Sequence, residues 1–329
     1  MIFKVKEIAQ NLLDLNPDPI VKYKLMKEVI ELDKEDFRYK EARKNLIKSE
    51  NIRQLEKSQF KDGSWGTLHG GMQVGKKQVW TTEMGVQRAV VLGLDKEHKL
   101  LKKVINYIEK VFERKIDIPD YPEKNDRWET GKNLFLSLTL SLIDKEHPLV
   151  KEAINLWEKI ACKVFISGKY NQEAEINAHK ELTGATVKDS YLTISNKYSL
   201  ILLGKSKSGL RKSYQKPLLE WLFKREDGIG YQNAPLSTPP KSIKSGFLDR
   251  LFNSQEILSN FDIWKNFADD FIEWIWQQRK EDGFWDFGPR VNAGYSYYFP
   301  LSENWNKRVN RKIDWTTRVL ILLSKYSKK

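Results

Sequence analysis

The sequence holds a single cysteine, Cys162, in 329 residues. That excludes a disulfide framework and a cysteine-rich metal site, and it points to a reducing compartment. No apolar run approaches the roughly 18 residues that a membrane span requires. The first residues, Met1-Ile2-Phe3-Lys4-Val5-Lys6-Glu7, carry charges where a secretion signal needs an apolar stretch. A cytoplasmic location without a transmembrane segment is expected, with peripheral membrane contact left open. Long Gly/Ser linkers and shifts of composition are missing too, so residues 1–329 are expected to form one domain. A basic patch with interleaved aromatics is likewise lacking, which argues against a specific nucleic-acid partner. On a second subunit the sequence is silent.

What is present suits a large core, since 40% of the residues are hydrophobic. Lys+Arg number 57 against 44 Asp+Glu, a net charge of +13 that favours acidic partners at long range. Many of these lysines are dispersed, as with Lys99, Lys102, Lys103 and Lys110 on one predicted helix, and read as a solvated face.

One stretch returns in cruder form. Gln59-Phe60-Lys61-Asp62-Gly63-Ser64-Trp65-Gly66 is echoed by Leu222 to Tyr231, with Asp227-Gly228-Ile229-Gly230-Tyr231, and by Gln277 to Trp285, with Asp282-Gly283-Phe284-Trp285. Each copy follows an amphipathic helix. The shared core is a helix stop: Gly accepts the left-handed conformation, Asp supports the turn with its side-chain acceptor, and an aromatic ring folds back. In the first and third copies the Gln is expected to bond backbone of the next turn while the Trp packs beside it.

Between the copies, helices apolar nearly all round alternate with helices that have one polar face. The first kind is buried and the second covers it. Six inner helices are predicted at 20–32, 81–94, 128–143, 191–203, 247–258 and 313–326. Outer ones follow at 96–115, 148–164, 210–224 and 263–278, after a charged segment at 34–59, with an N-terminal helix at 3–14. The loops at about 65–80, 115–127, 165–188, 231–246 and 284–312 exceed the needs of a turn and are candidates for function.

Gln59, Gly63 and Trp65, with Gln277, Gly283 and Trp285, resemble the Gln-Trp repeats of the squalene cyclase and protein prenyltransferase superfamily. The resemblance implies an all-α fold, an (α/α)6 toroid of about six hairpins, with a central aromatic-lined cavity for a polyprenyl or other isoprenoid ligand, a hydrophobic small molecule. Two features of that family are missing. No Asp-x-Asp-Asp tetrapeptide, which protonates the alkene in squalene-type cyclases, occurs. The Asp/Cys/His zinc site of the transferases has only Cys162 to draw on, mid-way along an outer helix, so no cofactor is expected. Asp269, Asp270 and Glu273 resemble a diphosphate-binding Asp-Asp-x-x-Glu motif but fall on an outer helix, where a solvated face is the simpler reading.

Polar and aromatic residues at the starts of inner helices are the candidate site. As acids that burial could tune to donate a proton, Asp189 and Asp314 lead, with Glu83 and Glu129 behind them. As ligand-binding groups we single out His69, Trp80, Arg88, Arg127, Trp128, Tyr191, Trp315 and Arg318, and from the long loop after the third copy Tyr295, Tyr297 and Trp305. Thr81 or Thr82 is expected to cap its helix. Two other readings stand beside the isoprenoid one. A carbohydrate-active (α/α)6 enzyme, glycoside hydrolase or lyase, would use the same aromatics as platforms; as a hydrolase it needs carboxyls about 5–5.5 or about 6.5–9.5 Å apart. A non-catalytic binding scaffold would use only the basic surface.

Overall fold

Apolar residues at helical spacing do form helices in the computed structural model, which describes residues 4–70, 73–74, 77–78, 81–187, 190–206, 212–237, 245–289 and 299–328. Regular structure among the described residues is helical apart from a two-residue pairing of Gln73–Val74 with Lys77–Gln78. The helices are α1 (Val5–Asp14), α2 (Pro19–Lys24, continued by a π-helical segment Leu25–Ile30), α3 (Phe37–Ile47), α4 (Glu50–Ser58), α5 (Thr82–Val91), α6 (Lys99–Phe112) and α7 (Trp128–Ile143). They continue with α8 (Pro148–Val164), α9 (Gln172–Thr183), α10 (Lys197–Leu203), α11 (Lys212–Lys224), α12 (Ser245–Leu258), α13 (Lys265–Gln277) and α14 (Arg308–Ser327).

The alternation of buried and covering helices follows the sequence pattern. In α7 every residue from Leu134 to Ser141 is buried. In α6, Leu100, Leu101, Val104, Tyr107, Ile108 and Val111 are buried, while Lys99, Lys102, Lys103 and Lys110 face solvent. The mostly apolar helices pack in succession, α5 on α7, α7 on α10 and α10 on α12, while α14 packs on α1, α2 and the π-helical segment. Arg318 on α14 reaches Asp249 and Glu256 on α12 at 2.6 and 2.7 Å. A single hydrophobic cluster runs from Val5 to Leu323.

Four predicted boundaries moved. The span 20–32 divides into α2 and the π-helical segment, and the charged span 34–59 contains α3, capped by Asp36, whose carboxylate accepts Arg38 N–H at 2.8 Å, and α4. The span 165–188, expected as loop, contains α9, started by Asn171 accepting Ala174 N–H at 2.9 Å and ended at Gly184 with φ +73°. The helix expected from 191 begins only at Lys197, because Asn196 caps it by accepting Tyr198 N–H at 3.2 Å.

The Asp-Gly turns behave as expected in two copies. Phe60 N–H bonds Ser64 O at 2.8 Å and Lys280 N–H bonds Phe284 O at 2.8 Å, while Gly63 and Gly283 take φ +100° and +83°. Asp62 and Asp282 accept the N–H groups of Ser64 and Phe284 at 2.9 and 3.1 Å. Each indole donates to the helix before it, Trp65 to Leu55 O at 3.2 Å and Trp285 to Ile275 O at 2.7 Å. Each Trp N–H donates to a threonine on the next inner helix, Thr82 at 3.1 Å and Thr316 at 3.0 Å. Gln59 does staple turns, donating to Gly63 O at 2.9 Å and Leu100 O at 3.0 Å. Gln277 does not: it is exposed, and Arg279, six residues before Trp285 as Gln59 is before Trp65, instead lays its guanidinium 4.7 Å from the Trp276 ring centroid.

Candidate functional site

The turn after Trp65 leads straight into the start of α5. Thr82 and Glu83 donate their backbone N–H groups to Thr67 O and Leu68 O at 2.8 and 3.1 Å, which satisfies two donors that a helix N-terminus leaves open. Asp120, from the loop before α7, binds the same turn from the other side: it accepts His69 N–H at 2.9 Å, Gly70 N–H at 2.8 Å and Leu68 N–H. His69 is thereby held over the first turn of α5, and its Nδ1 lies 2.6 Å from Glu83 Oε2. The other Glu83 oxygen accepts Gln87 Nε2 at 2.8 Å. On the far side of the imidazole, Nε2 lies 3.4 Å from the hydroxyl of Tyr198 on α10.

Aromatic faces enclose this chain of groups. Phe135 of α7 stacks on the His69 ring with centroids 3.8 Å apart, and Tyr198 meets His69 edge-on at 5.3 Å. Tyr191 lies 5.4 Å from Phe135, and Tyr231 lies 6.3 Å from Tyr198. Tyr191 donates to Glu123 at 3.2 Å. The His69 side chain keeps 34% of its surface exposed, whereas Glu83 keeps 6%. The chain therefore runs from a buried carboxylate to an accessible ring.

Burial pushes the Glu83 carboxyl up, but the His69 hydrogen bond, the charges of Lys197 and His69, and the Gln87 amide outweigh it and hold the group below the usual carboxylate range. Burial pushes the Lys197 ammonium down, opposed by Glu83. Tyr191 is pushed up to about 12 by burial and the charge of Glu123, and Tyr231 is raised by the same two causes. With Glu83 ionised, the His69 proton sits on Nδ1, which leaves Nε2 as a base directed at Tyr198. Such an arrangement orients an imidazole.

Ser195 and Asn196, the two residues before α10, turn towards a neighbouring cleft of about 380 Å³. Its wall carries Tyr170, Gln172, Glu175, Thr193, Arg225, Asp227, Gly230 and Tyr231. Glu175 accepts Ile194 N–H at 2.5 Å and Tyr170 O–H at 2.7 Å. Burial raises its carboxyl above the usual range despite these bonds and the charge of Arg225. Tyr170 stacks on Trp221 at 3.9 Å, and the Arg225 guanidinium lies 4.9 Å from the same indole ring.

Of the residues singled out in the sequence, His69, Glu83 and Tyr191 come together here, with Arg127 close enough to act on Tyr191 and Tyr231. Asp314 does not take part. It is fully buried and accepts Leu301 N–H at 2.8 Å, Ser302 N–H at 3.2 Å and Ser302 O–H at 2.5 Å, so it clamps the loop before α14. Glu129 is exposed and pairs with Lys132 at 2.8 Å. Trp315 is buried, donating to Gly288 O at 3.2 Å beside Phe252 and Phe287, and Trp305 packs 6.4 Å from it. Arg318 is neutralised by Asp249 and Glu256, and Arg88 reaches Asn51 of α4 at 3.5 Å. Trp128 is half-buried at the first residue of α7. Trp80, Asp189, Tyr295 and Tyr297 lie outside the described residues.

Asp269, Asp270 and Glu273 are exposed on α13, as a solvated face requires. Among the described residues no three His, Cys, Asp or Glu side chains gather to hold a metal, and no helix is long and apolar enough to cross a membrane. Lys197, Tyr198, Phe135, Tyr231 and Asp120 were not singled out in the sequence. Asn196-Lys197-Tyr198 could have been read as a cap followed by a polar and an aromatic residue, the same signal that marked Thr81 to Glu83. Comparison with protein-family models, with curated proteins and with solved structures gives no match for the chain.

Proposed function

We propose that this chain is a carbohydrate-active enzyme of the α/α type, cleaving an acidic, hydroxyl-rich chain by elimination. The observation that carries the reading is the hydrogen-bonded series Glu83–His69–Tyr198, with an accessible imidazole between aromatic faces. Both Glu83 oxygens are engaged, so a two-carboxylate hydrolysis finds no free nucleophile in Glu83. The imidazole and the phenol form an acid–base pair. In the step we envisage, His69 Nε2 takes the proton from the carbon beside a uronate carboxylate. Its electron pair forms the new double bond, and the C–O bond to the neighbouring sugar breaks. The leaving oxygen takes the Tyr198 proton, and the proton on His69 then restores the phenol. Arg127 and the +13 field favour an acidic chain. The packing of α5 on α7, α7 on α10, α10 on α12 and α14 on α2 is the kind of succession a toroid uses.

The test is incubation with polygalacturonate, alginate and hyaluronan, read by mass spectrometry for unsaturated products. Turnover is expected, falling by about 10²-fold or more in His69→Ala and Tyr198→Phe, with both variants still folded by circular dichroism. No product from any of the three, or undiminished turnover in both variants, would sink the reading.

A second reading keeps the isoprenoid ligand. Phe135, Tyr191, Tyr198 and Tyr231 favour it, since ring faces attract a carbocation. Protonation-initiated cyclisation would need another acid, because Glu83 is held ionised and Asp314 is spent on backbone amides. A polyprenyl lipid co-purifying in native mass spectrometry would shift the weight to it.

A further inference from the structure

The middle Asp-Gly turn departs from the other two, its Asp227 carboxylate accepting Arg225 Nη2 at 2.7 Å. Trp65 and Trp285 each stand two residues after the positive-φ glycine, and at that place after Gly228 stands Gly230. The backbone there pairs instead with the segment before α10, an inner helix that precedes this turn, Gly230 N–H donating to Ser195 O at 2.9 Å. No ring enters the core there. The aromatic residue comes one position later as Tyr231, at φ +67° and 53% exposed. The left-handed backbone strains a non-glycine residue, and exposing a large ring gains nothing for the core.

Gly230 and Tyr231 both line the 380 Å³ cleft, whose size suits a small organic ligand. Tyr231 also faces Tyr198, so its ring stands between the cleft and the imidazole. The cleft wall mixes donors and acceptors, Arg225 and Asn196 with Glu175 and Asp227, as a hydroxylated ligand needs and a hydrocarbon does not.

We propose that the cleft is a second sugar-binding subsite continuous with the His69 centre, with Tyr231 as the platform between them, so that the substrate is a chain several units long. This rests on the carbohydrate reading of the His69 centre. A chain would lay one sugar on the Tyr231 face and extend the next over Ser195 and Asn196 towards Arg225.

Isothermal titration of the full chain with disaccharide and octasaccharide fragments of polygalacturonate, alginate and hyaluronan tests this. The octasaccharide of one series is expected to bind about tenfold or more tighter than its disaccharide. Tyr231→Ala should abolish that gain. Gly230→Trp supplies a second variant, because a Cβ there meets Asn196 Cα at 3.4 Å, an ordinary contact, and the added ring stands at the cleft wall. Equal affinity for short and long fragments, or a length gain untouched by both variants, overturns the subsite. Length-dependent binding lost in Tyr231→Ala without turnover supports the subsite while the elimination chemistry fails. Turnover without length dependence has the opposite meaning, and no binding by any fragment ends both.

Discussion

The two intact Asp-Gly turns and the altered one each hold a glycine at positive φ and differ in what they do with an aromatic ring. Trp65 and Trp285 are fully buried, with indole N–H and backbone N–H both bonded. Around the altered turn the ring is exposed, a cleft lies beside it, and titratable groups are buried: Glu175 and His179 on α9, and Lys197 at the start of α10. The nitrogens of His179 have no hydrogen-bond partner. The outer copies bury their rings, and the middle one leaves its ring exposed beside the cleft. Polar strain at functional sites, held by well-packed surroundings, is the general pattern.

The contrast is broken most forcefully by truncating the rings. Trp65→Ala and Trp285→Ala should each cost about 3–5 kcal/mol in urea unfolding, whereas Tyr231→Ala should stay within about 0.5 kcal/mol. Comparable losses at all three positions would erase the distinction.

His179 sharpens it through pH. Burial pushes this imidazole down to about 4 from an unfolded value of 6.5, so below pH 6.5 the unfolded chain binds the extra proton. Its contribution is fully present above pH 6.5 and is lost as pH falls towards 4, about 3 kcal/mol in all. Between pH 6.5 and 4 the wild type should lose about 3 kcal/mol more stability than His179→Leu, which lacks that component of the slope. Parallel curves from pH 7 to 4 would show that the ring is solvated.

The two intact copies are themselves distinguishable. A methyl group on Gly63 would overlap Lys103 O, whereas one on Gly283 meets nothing within 4 Å. Gly63→Ala should therefore cost about 2–3 kcal/mol by adding overpacking to backbone strain, against about 1 kcal/mol for Gly283→Ala. Equal thermal shifts would mean that strain alone matters. Thr82→Val should cost about 1–2 kcal/mol by leaving Trp65 N–H unpaired, checked by the same denaturation.

The helices and Asp-Gly turns were legible because periodicity and turn chemistry are local. His69 and Glu83 were legible in part, since Trp80-Thr81-Thr82-Glu83 marks a helix start and His69 lies in the long loop before it. Tyr198 was missed through a boundary. Tyr191, Leu192 and Ile194 have the look of a helix, yet Thr193 donates its hydroxyl to Ser190 O at 3.1 Å, and Ser199 donates back to Thr193 O and Ile194 O at 3.2 Å. Such side-chain bonds compete with helix formation and delay it to Asn196. Asp314 misled for another reason: its identity says nothing of the amides of Leu301 and Ser302, which approach from a separate loop.

Hydrogen-exchange mass spectrometry, with and without the acidic oligosaccharide that gives the largest thermal shift, addresses the central contrast most directly. Slower exchange is expected in peptides covering 67–70, 190–198 and 225–232, with no change at 60–65 and 280–285. Protection confined to the intact turns, or absent from the peptides around His69 and Tyr231, would contradict it.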